Sequence, residues 1–207
     1  MKPTLSLFIC LSFYILLLHG TTATPTPTPT PSPSPSPSPS PSPRPRPRPR
    51  PRTDLIKKTC KTTAKGDPNI DYKFCVTSLQ VVPKSHTTNL QGLGLITTML
   101  IKNNLTRTHS RIRNLLKRHG YPKIVKSCLE TCLECYGDAV YSIKEVTSSI
   151  KGKRYDDANI QASSVMDLAT TCEDGFTEGG EKSLFTKNNA DVFQLVAMDL
   201  SIINMLS

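Results

Sequence analysis

Six cysteines, Cys60, Cys75, Cys128, Cys132, Cys135 and Cys172, are the residues after position 50 with the most chemistry to offer. Three of them, in the spacing Cys128-x3-Cys132-x2-Cys135, match the pattern with which radical enzymes hold an iron–sulfur cluster. Such a cluster needs three thiolates converging from a loop in a reducing compartment. Here the three fall within a regular apolar repeat, Val125, Leu129, Cys132, Tyr136, Ala139, Ile143, Val146 and Ile150, which reads as one long helix. Along it Cys128 and Cys135 are two turns, about 10 Å, apart and cannot bond to each other. They are expected as buried thiols beside the helix seam. The histidines His86, His109 and His119 stand at no metal-ligand spacing from a cysteine or carboxylate, and a generic surface role is expected for them. No nucleophile elbow, phosphate loop or His-Glu-x-x-His motif is present, and the acidic pairs Asp156-Asp157 and Glu173-Asp174 sit near expected helix ends, where they cap or solvate. No enzyme, metal or cofactor is therefore expected. The cysteines are left to staple.

Their pairing follows from the elements that must position them. Gly66-Asp67-Pro68-Asn69 separates two short apolar-periodic segments between Asp54 and Gln80, and Cys60 and Cys75 lie symmetrically about that turn. An antiparallel helical hairpin closed by Cys60–Cys75 is expected. The symmetry repeats around Gly152, after which a second stripe, Tyr155, Ala158, Ala162, Val165 and Ala169, leads in step to Cys172. Cys132 and Cys172 are twenty residues before and after Gly152, which predicts a second bridge between facing helices. Two further helices are expected, one over 88–117 with a face from Leu90 to Leu115 interrupted by Gly92 and Gly94, the other from about Ala190 with Val192, Leu195, Val196, Ile202, Ile203 and Leu206. The fold class is then all-α: an antiparallel four-helix bundle with an N-terminal α-hairpin extension and two disulfides.

The first fifty residues set the compartment. Lys2 precedes an apolar stretch from Leu5 to Leu18 that ends in small and polar residues at Ala23, a signal peptide over 1–23. Residues 24–52 repeat Thr-Pro, then Ser-Pro, then Arg-Pro, so proline at every second position makes an extended linker with no core. Its Ser-Pro part resembles the hydroxyproline-rich repeats of plant cell-wall glycoproteins. Arg44, Arg46, Arg48, Arg50 and Arg52 form a cationic comb suited to an anionic polymer such as pectin. Removing these five and Lys2 from the net charge of +10 leaves +4 for 53–207, about 155 residues and one ordinary domain. The chain has no Trp, and its basic residues are not interleaved with aromatics, which speaks against nucleic acid. No segment beyond the leader is apolar enough for a membrane span. The expected location is extracellular, in the space of the cell wall. Lys102, Arg107, Arg111, Arg113, Lys117, Arg118, Lys123 and Lys126 make an acid-free segment able to steer an acidic partner, and Asn104-Leu105-Thr106 within it is a glycosylation sequon.

Three stretches carry a resemblance: Cys132-Leu133-Glu134-Cys135-Tyr136-Gly137-Asp138-Ala139-Val140, Tyr155-Asp156-Asp157-Ala158, and Thr170-Thr171-Cys172-Glu173-Asp174-Gly175-Phe176. Together with the cysteine pair Cys60 and Cys75 and the last helix, from Phe193 to Leu206, they resemble the plant invertase and pectin methylesterase inhibitor family, from about Asp54 onward. The likeness leans to the branch named for invertase inhibition, which includes pollen proteins. The resemblance implies inhibition by a one-to-one complex with an invertase (beta-fructofuranosidase) or a pectin methylesterase. Invertase inhibitors of the family insert a Pro-Lys-Phe motif from the turn between the two disulfide-linked helices. Here that turn reads Lys153-Arg154-Tyr155, keeping the basic-then-aromatic order without the proline, and these three are the candidate target-binding residues. The alternative is a non-inhibitory cell-wall glycoprotein that binds pectin through its Arg-Pro arm.

Overall fold

A computed structural model describes residues 53–207, and the expected leader and proline arm lie outside the described residues. Six α-helices follow one another: α1 (Thr53–Gly66), α2 (Tyr72–Gln80), α3 (Leu90–Leu116), α4 (Lys123–Lys151), α5 (Tyr155–Glu178) and α6 (Thr186–Asn204), with a 3-10 turn over Pro83–His86. No strand occurs among the described residues. The chain reverses at Asp67–Asp71, where Asp67 Oδ1 accepts from the Asn69 amide at 2.8 Å and Asp71 caps α2 by accepting from the Phe74 amide at 2.6 Å. Those side chains make the turn the sequence marks. Cys60 and Cys75 are bonded across it, with Cα atoms 5.6 Å apart.

Helices α3 to α6 form a ring, α3 against α4, α4 against α5, α5 against α6 and α6 back against α3. Leu93, Ile101, Leu105 and Ile112 from α3, Leu129, Tyr136, Ile143 and Ile150 from α4, and Val192, Val196, Ile202 and Ile203 from α6 are buried along the axis. Helix α5 contributes a stripe of small residues, Ala158, Ala162, Val165 and Ala169. Small side chains let α4 approach closely, and the Cys132–Cys172 disulfide joins the two helices with a Cα separation of 4.6 Å. In the chain-entropy view a bridge over 40 residues contributes about 4 kcal/mol and one over 15 about 3 kcal/mol.

One boundary differs from the sequence expectation, the start of α6. Helix α3 runs as expected through Gly92 and Gly94, which break its apolar face at crowded places. A Cβ on Gly92 would lie 1.7 Å from Thr88 Oγ1, and one on Gly94 would lie 3.3 Å from Ile202 Cγ2 of α6. Asn89 starts that helix by accepting from the Gly92 amide. Helix α6 begins at Thr186 rather than Ala190. Its first turn is polar, so no apolar period announces it. Asn189 is nonetheless buried, held by hydrogen bonds in place of apolar contact.

Candidate functional site

Ile150 and Lys151 end α4, and the chain then turns in three residues to start α5. The turn closes as a Schellman motif: the Arg154 amide donates to Ser149 O at 2.9 Å and the Lys153 amide to Ile150 O at 3.1 Å. In that motif one residue must adopt the left-handed conformation, and here it is Lys153, with φ 56°. Helix α5 ends in the same motif, where Glu181 donates to Phe176 O, Gly180 donates to Thr177 O, and the left-handed position is Gly180, φ 69°. A Cβ costs about 1–2 kcal/mol in this conformation. One helix end thus uses glycine and the other carries a lysine at that cost. Residues 151–154 are all exposed.

Arg154 is held in place. Its Nε donates to Asp157 Oδ2 at 3.0 Å and its Nη2 to Ser149 Oγ at 3.4 Å, while Ser149 Oγ donates to Gln161 Oε1 at 3.1 Å. The guanidinium lies over Gly152, where a Cβ would come within 2.7 Å of Nη1. Gly152 has φ −81°, which any residue can adopt, so a side chain there would only have to displace the end of Arg154. Tyr155 is half-buried against the core, so its ring serves packing as well as the surface. The turn rests on rigid neighbours. Gln91 Nε2 donates to Ile150 O at 2.8 Å, and Asn159 Nδ2 to Asn204 Oδ1 at 2.7 Å, tying the ends of α3 and α6 to this pole. The exposed result is a cationic knob of Lys151, Lys153 and Arg154 with a tyrosine at its base, suited to anchoring in a partner's cavity and holding no nucleophile or proton-transfer pair.

A second polar cluster lies toward the other end and was not legible in the sequence. Tyr136 Oη donates to Asn189 Oδ1 at 2.6 Å, Asn189 Nδ2 donates to Glu173 Oε2 at 2.5 Å, and Thr186 Oγ1 donates to Glu173 Oε1 at 2.7 Å. Burial pushes the Tyr136 phenol well above its ordinary value. Burial acts to raise Glu173 too, but hydrogen bonds from Thr186, Ser183 and Asn189 outweigh it and leave the carboxyl below its ordinary value. Glu173 therefore does not solvate a helix end: it clasps α5 to the first turn of α6. Asp156 and Asp157 do occupy the first turn of α5, where negative charge complements the helix dipole.

The remaining chemistry-bearing residues are dispersed. Cys128 is buried and its thiol donates to Gly175 O at 3.2 Å, and Cys135 is buried with its thiol pushed up by burial and by Asp138. At Cys135 these effects oppose a thiolate. His86 pairs with Gln80 O at 2.9 Å, His119 is exposed, and His109 packs over Gly137 with its imidazole lowered by burial and by Arg113. Among the described residues no group of three or more His, Cys, Asp and Glu could hold a metal ion, and no helix is long and apolar enough to cross a membrane. Asn104 is half-buried in mid-α3, its Oδ1 accepting from Thr108 Oγ1 at 3.2 Å.

Comparison with known proteins places this geometry. A family model described as plant invertase/pectin methylesterase inhibitor matches residues 54–202. A protein of Platanus acerifolia named "Putative invertase inhibitor" is 41% identical over 154 residues, which cover 74% of this chain and 86% of that one. "Pectinesterase inhibitor 12" of Arabidopsis thaliana is 34% identical over 153 residues, 73% of this chain and 87% of that one. In fold, the chain is similar to the crystal structure of a mutant form of a pectin methylesterase inhibitor from Arabidopsis, with a TM-score of 0.63 at 22% identity, over 73% of this chain and 97% of that one. On the family match and the identity to its relatives, the chain belongs to the plant invertase/pectin methylesterase inhibitor family.

Proposed function

We propose that this protein is an inhibitor of a plant carbohydrate-active enzyme, an invertase or a pectin methylesterase, and that it acts by one-to-one complex formation rather than by chemistry of its own. The observation that carries the reading to a site is the α4–α5 turn, where Lys153 occupies a left-handed position that the matching turn after α5 gives to glycine. Arg154 is preset by Asp157 and Ser149, so little side-chain freedom is lost when a partner covers it. In this reading Lys153 and Arg154 enter the target and Tyr155 supports them from the base of the turn. Residues 1–23 direct export, 24–52 act as a spacer, and 53–207 form the inhibitory domain in the extracellular space.

The test is titration of the oxidised chain against a purified plant acid invertase and a purified plant pectin methylesterase. Loss of one activity at a stoichiometry of one identifies the target. Arg154→Ala and Lys153→Ala together should then weaken inhibition about thirtyfold or more, the scale of a hot-spot pair. Inhibition of the methylesterase that ignores the pair would move the contact to the helix faces. Failure to inhibit either enzyme would overturn the inhibitor reading in favour of a wall glycoprotein that binds pectin through Arg44, Arg46, Arg48, Arg50 and Arg52.

A further inference from the structure

No acidic residue occurs between Asp71 and Glu130, and the fold converts that linear asymmetry into a spatial one. Helices α3 and α5 each pack on α4 and α6, so they stand diagonally across the bundle. Helix α3 carries Lys102, Arg107, Arg111 and Arg113 and no acid. Helix α5 carries six acidic residues, from Asp156 to Glu178, and no Lys or Arg. Solubility alone is served by mixing the two signs over the surface, and gathering one sign on a face adds self-repulsion. The segregation therefore calls for a partner.

The positive face is densest where α3 turns into α4. Arg113, Lys117, Arg118, Lys123 and Lys126 are all exposed there, and Lys126 alone of the five has an acid in reach, Glu130 at 3.7 Å. That pair is open to water and holds the lysine weakly. A cleft of about 270 Å³ lies among them, lined by Leu116, Arg118, His119, Tyr121 and Lys126. Tyr121 is half-buried and contributes a single aromatic wall. That is too little for a run of stacked bases, but one aromatic face flanked by cations suits a single sugar ring that carries a carboxylate.

We propose that the α3 face and the α3–α4 turn form a docking surface for an anionic polysaccharide, a chain of uronate sugars whose carboxylates pair with Arg113, Lys117, Arg118, Lys123 and Lys126 while one ring sits in the cleft on Tyr121. The choice of a uronate rests on the inhibitor reading, because removing methyl esters from pectin exposes such carboxylates, whereas the charge polarity does not depend on it. The two ends of α4 are about 42 Å apart by helix rise, so the cationic knob after α4 and this surface before it can be occupied at once. The protein is thereby held on the polymer with its opposite pole free.

The experiment uses the chain from Thr24 onward with its five arm arginines changed to Gln, so that the bundle alone is read. Binding to polygalacturonate is measured by fluorescence anisotropy at about 50 mM salt, with fully methyl-esterified pectin and duplex DNA as comparison polymers. Lys117, Arg118, Lys123 and Lys126 are changed together to Ala, and a control variant loses the same charge elsewhere through Lys57, Lys61, Lys144 and Lys182. The expected result is binding that weakens about tenfold or more in the first variant and less than threefold in the control, that falls as salt rises, and that is absent with the esterified polymer. Equal losses in the two variants, or equal affinity for DNA, would overturn the proposal. Circular dichroism checks that both variants fold. Enzyme inhibition by the same variants separates this proposal from the inhibitor reading, since it should be unchanged by the first set.

Discussion

The conformation of Lys153 and the environment of Asp199 both work against stability. Changing Lys153 to Gly removes the Cβ from a left-handed position and should stabilise the fold by about 1 kcal/mol in urea denaturation while inhibition weakens. Stabilisation without any loss of inhibition would separate the strain from the function. Asp199 lies in α6, fully buried, and neither carboxyl oxygen has a hydrogen-bond partner. Gly94 of α3 lies beside it. Burial raises its carboxyl well above the ordinary value. A raised acid favours the folded state fully only below the unfolded value, near 4, and that advantage is lost as pH rises toward the folded value, with a slope approaching 1.4 kcal/mol per pH unit. Asp199→Asn should flatten the decline in stability between pH 4 and 7, read from urea midpoints at fixed ionic strength. An unchanged slope would show that Asp199 is ionised or solvated in the fold. Neither feature was legible in the sequence, since Asp199 sits among apolar residues of a helical stripe and nothing local says which face it takes.

At the scale of elements, the helix pairs are held by different means. Helices α4 and α5 rely on an alanine stripe and a disulfide, whereas α5 and α6 rely on the Tyr136–Asn189–Glu173 chain at the point where α6 begins. Tyr136→Phe would leave Asn189 Oδ1 buried without its donor, and a cost of about 1–3 kcal/mol is expected in thermal or urea unfolding. A loss below about 0.5 kcal/mol would mean that water replaces the phenol. This cluster explains why the sequence located the middle of α6 and missed its start: apolar periodicity reports hydrophobic burial, and Asn189 is buried through hydrogen bonds instead. The two glycines that break the apolar face of α3 lie at crowded places, which only the neighbouring Thr88 and Ile202 reveal.

At the scale of the whole molecule, a stapled hairpin adjoins a stapled ring. Reducing and blocking the two bridges separately, as Cys60→Ser with Cys75→Ser and as Cys132→Ser with Cys172→Ser, should have unequal consequences. The longer loop closed by Cys132–Cys172 sits inside the bundle, so its loss should lower global stability by about 2–5 kcal/mol. Loss of Cys60–Cys75 should release α1 and α2 to fast amide exchange while α3 to α6 keep their protection, as hydrogen exchange followed by mass spectrometry would record. Equal loss of protection throughout would make hairpin and ring one cooperative unit. The sequence by itself determined the all-α class, the four long helices, the hairpin, both disulfide pairings and the turn at Lys153-Arg154-Tyr155, because helical period and symmetric cysteine spacing are local signals that survive without knowledge of packing. Only the tertiary structure decided that Glu173 clasps α6, that Asp199 is orphaned, and that α3 and α5 oppose each other in charge, because each of these depends on which residues distant in sequence the bundle brings side by side. Lys153 and Arg154 are set by neighbours within a few residues, and only the folded turn shows which of them pair.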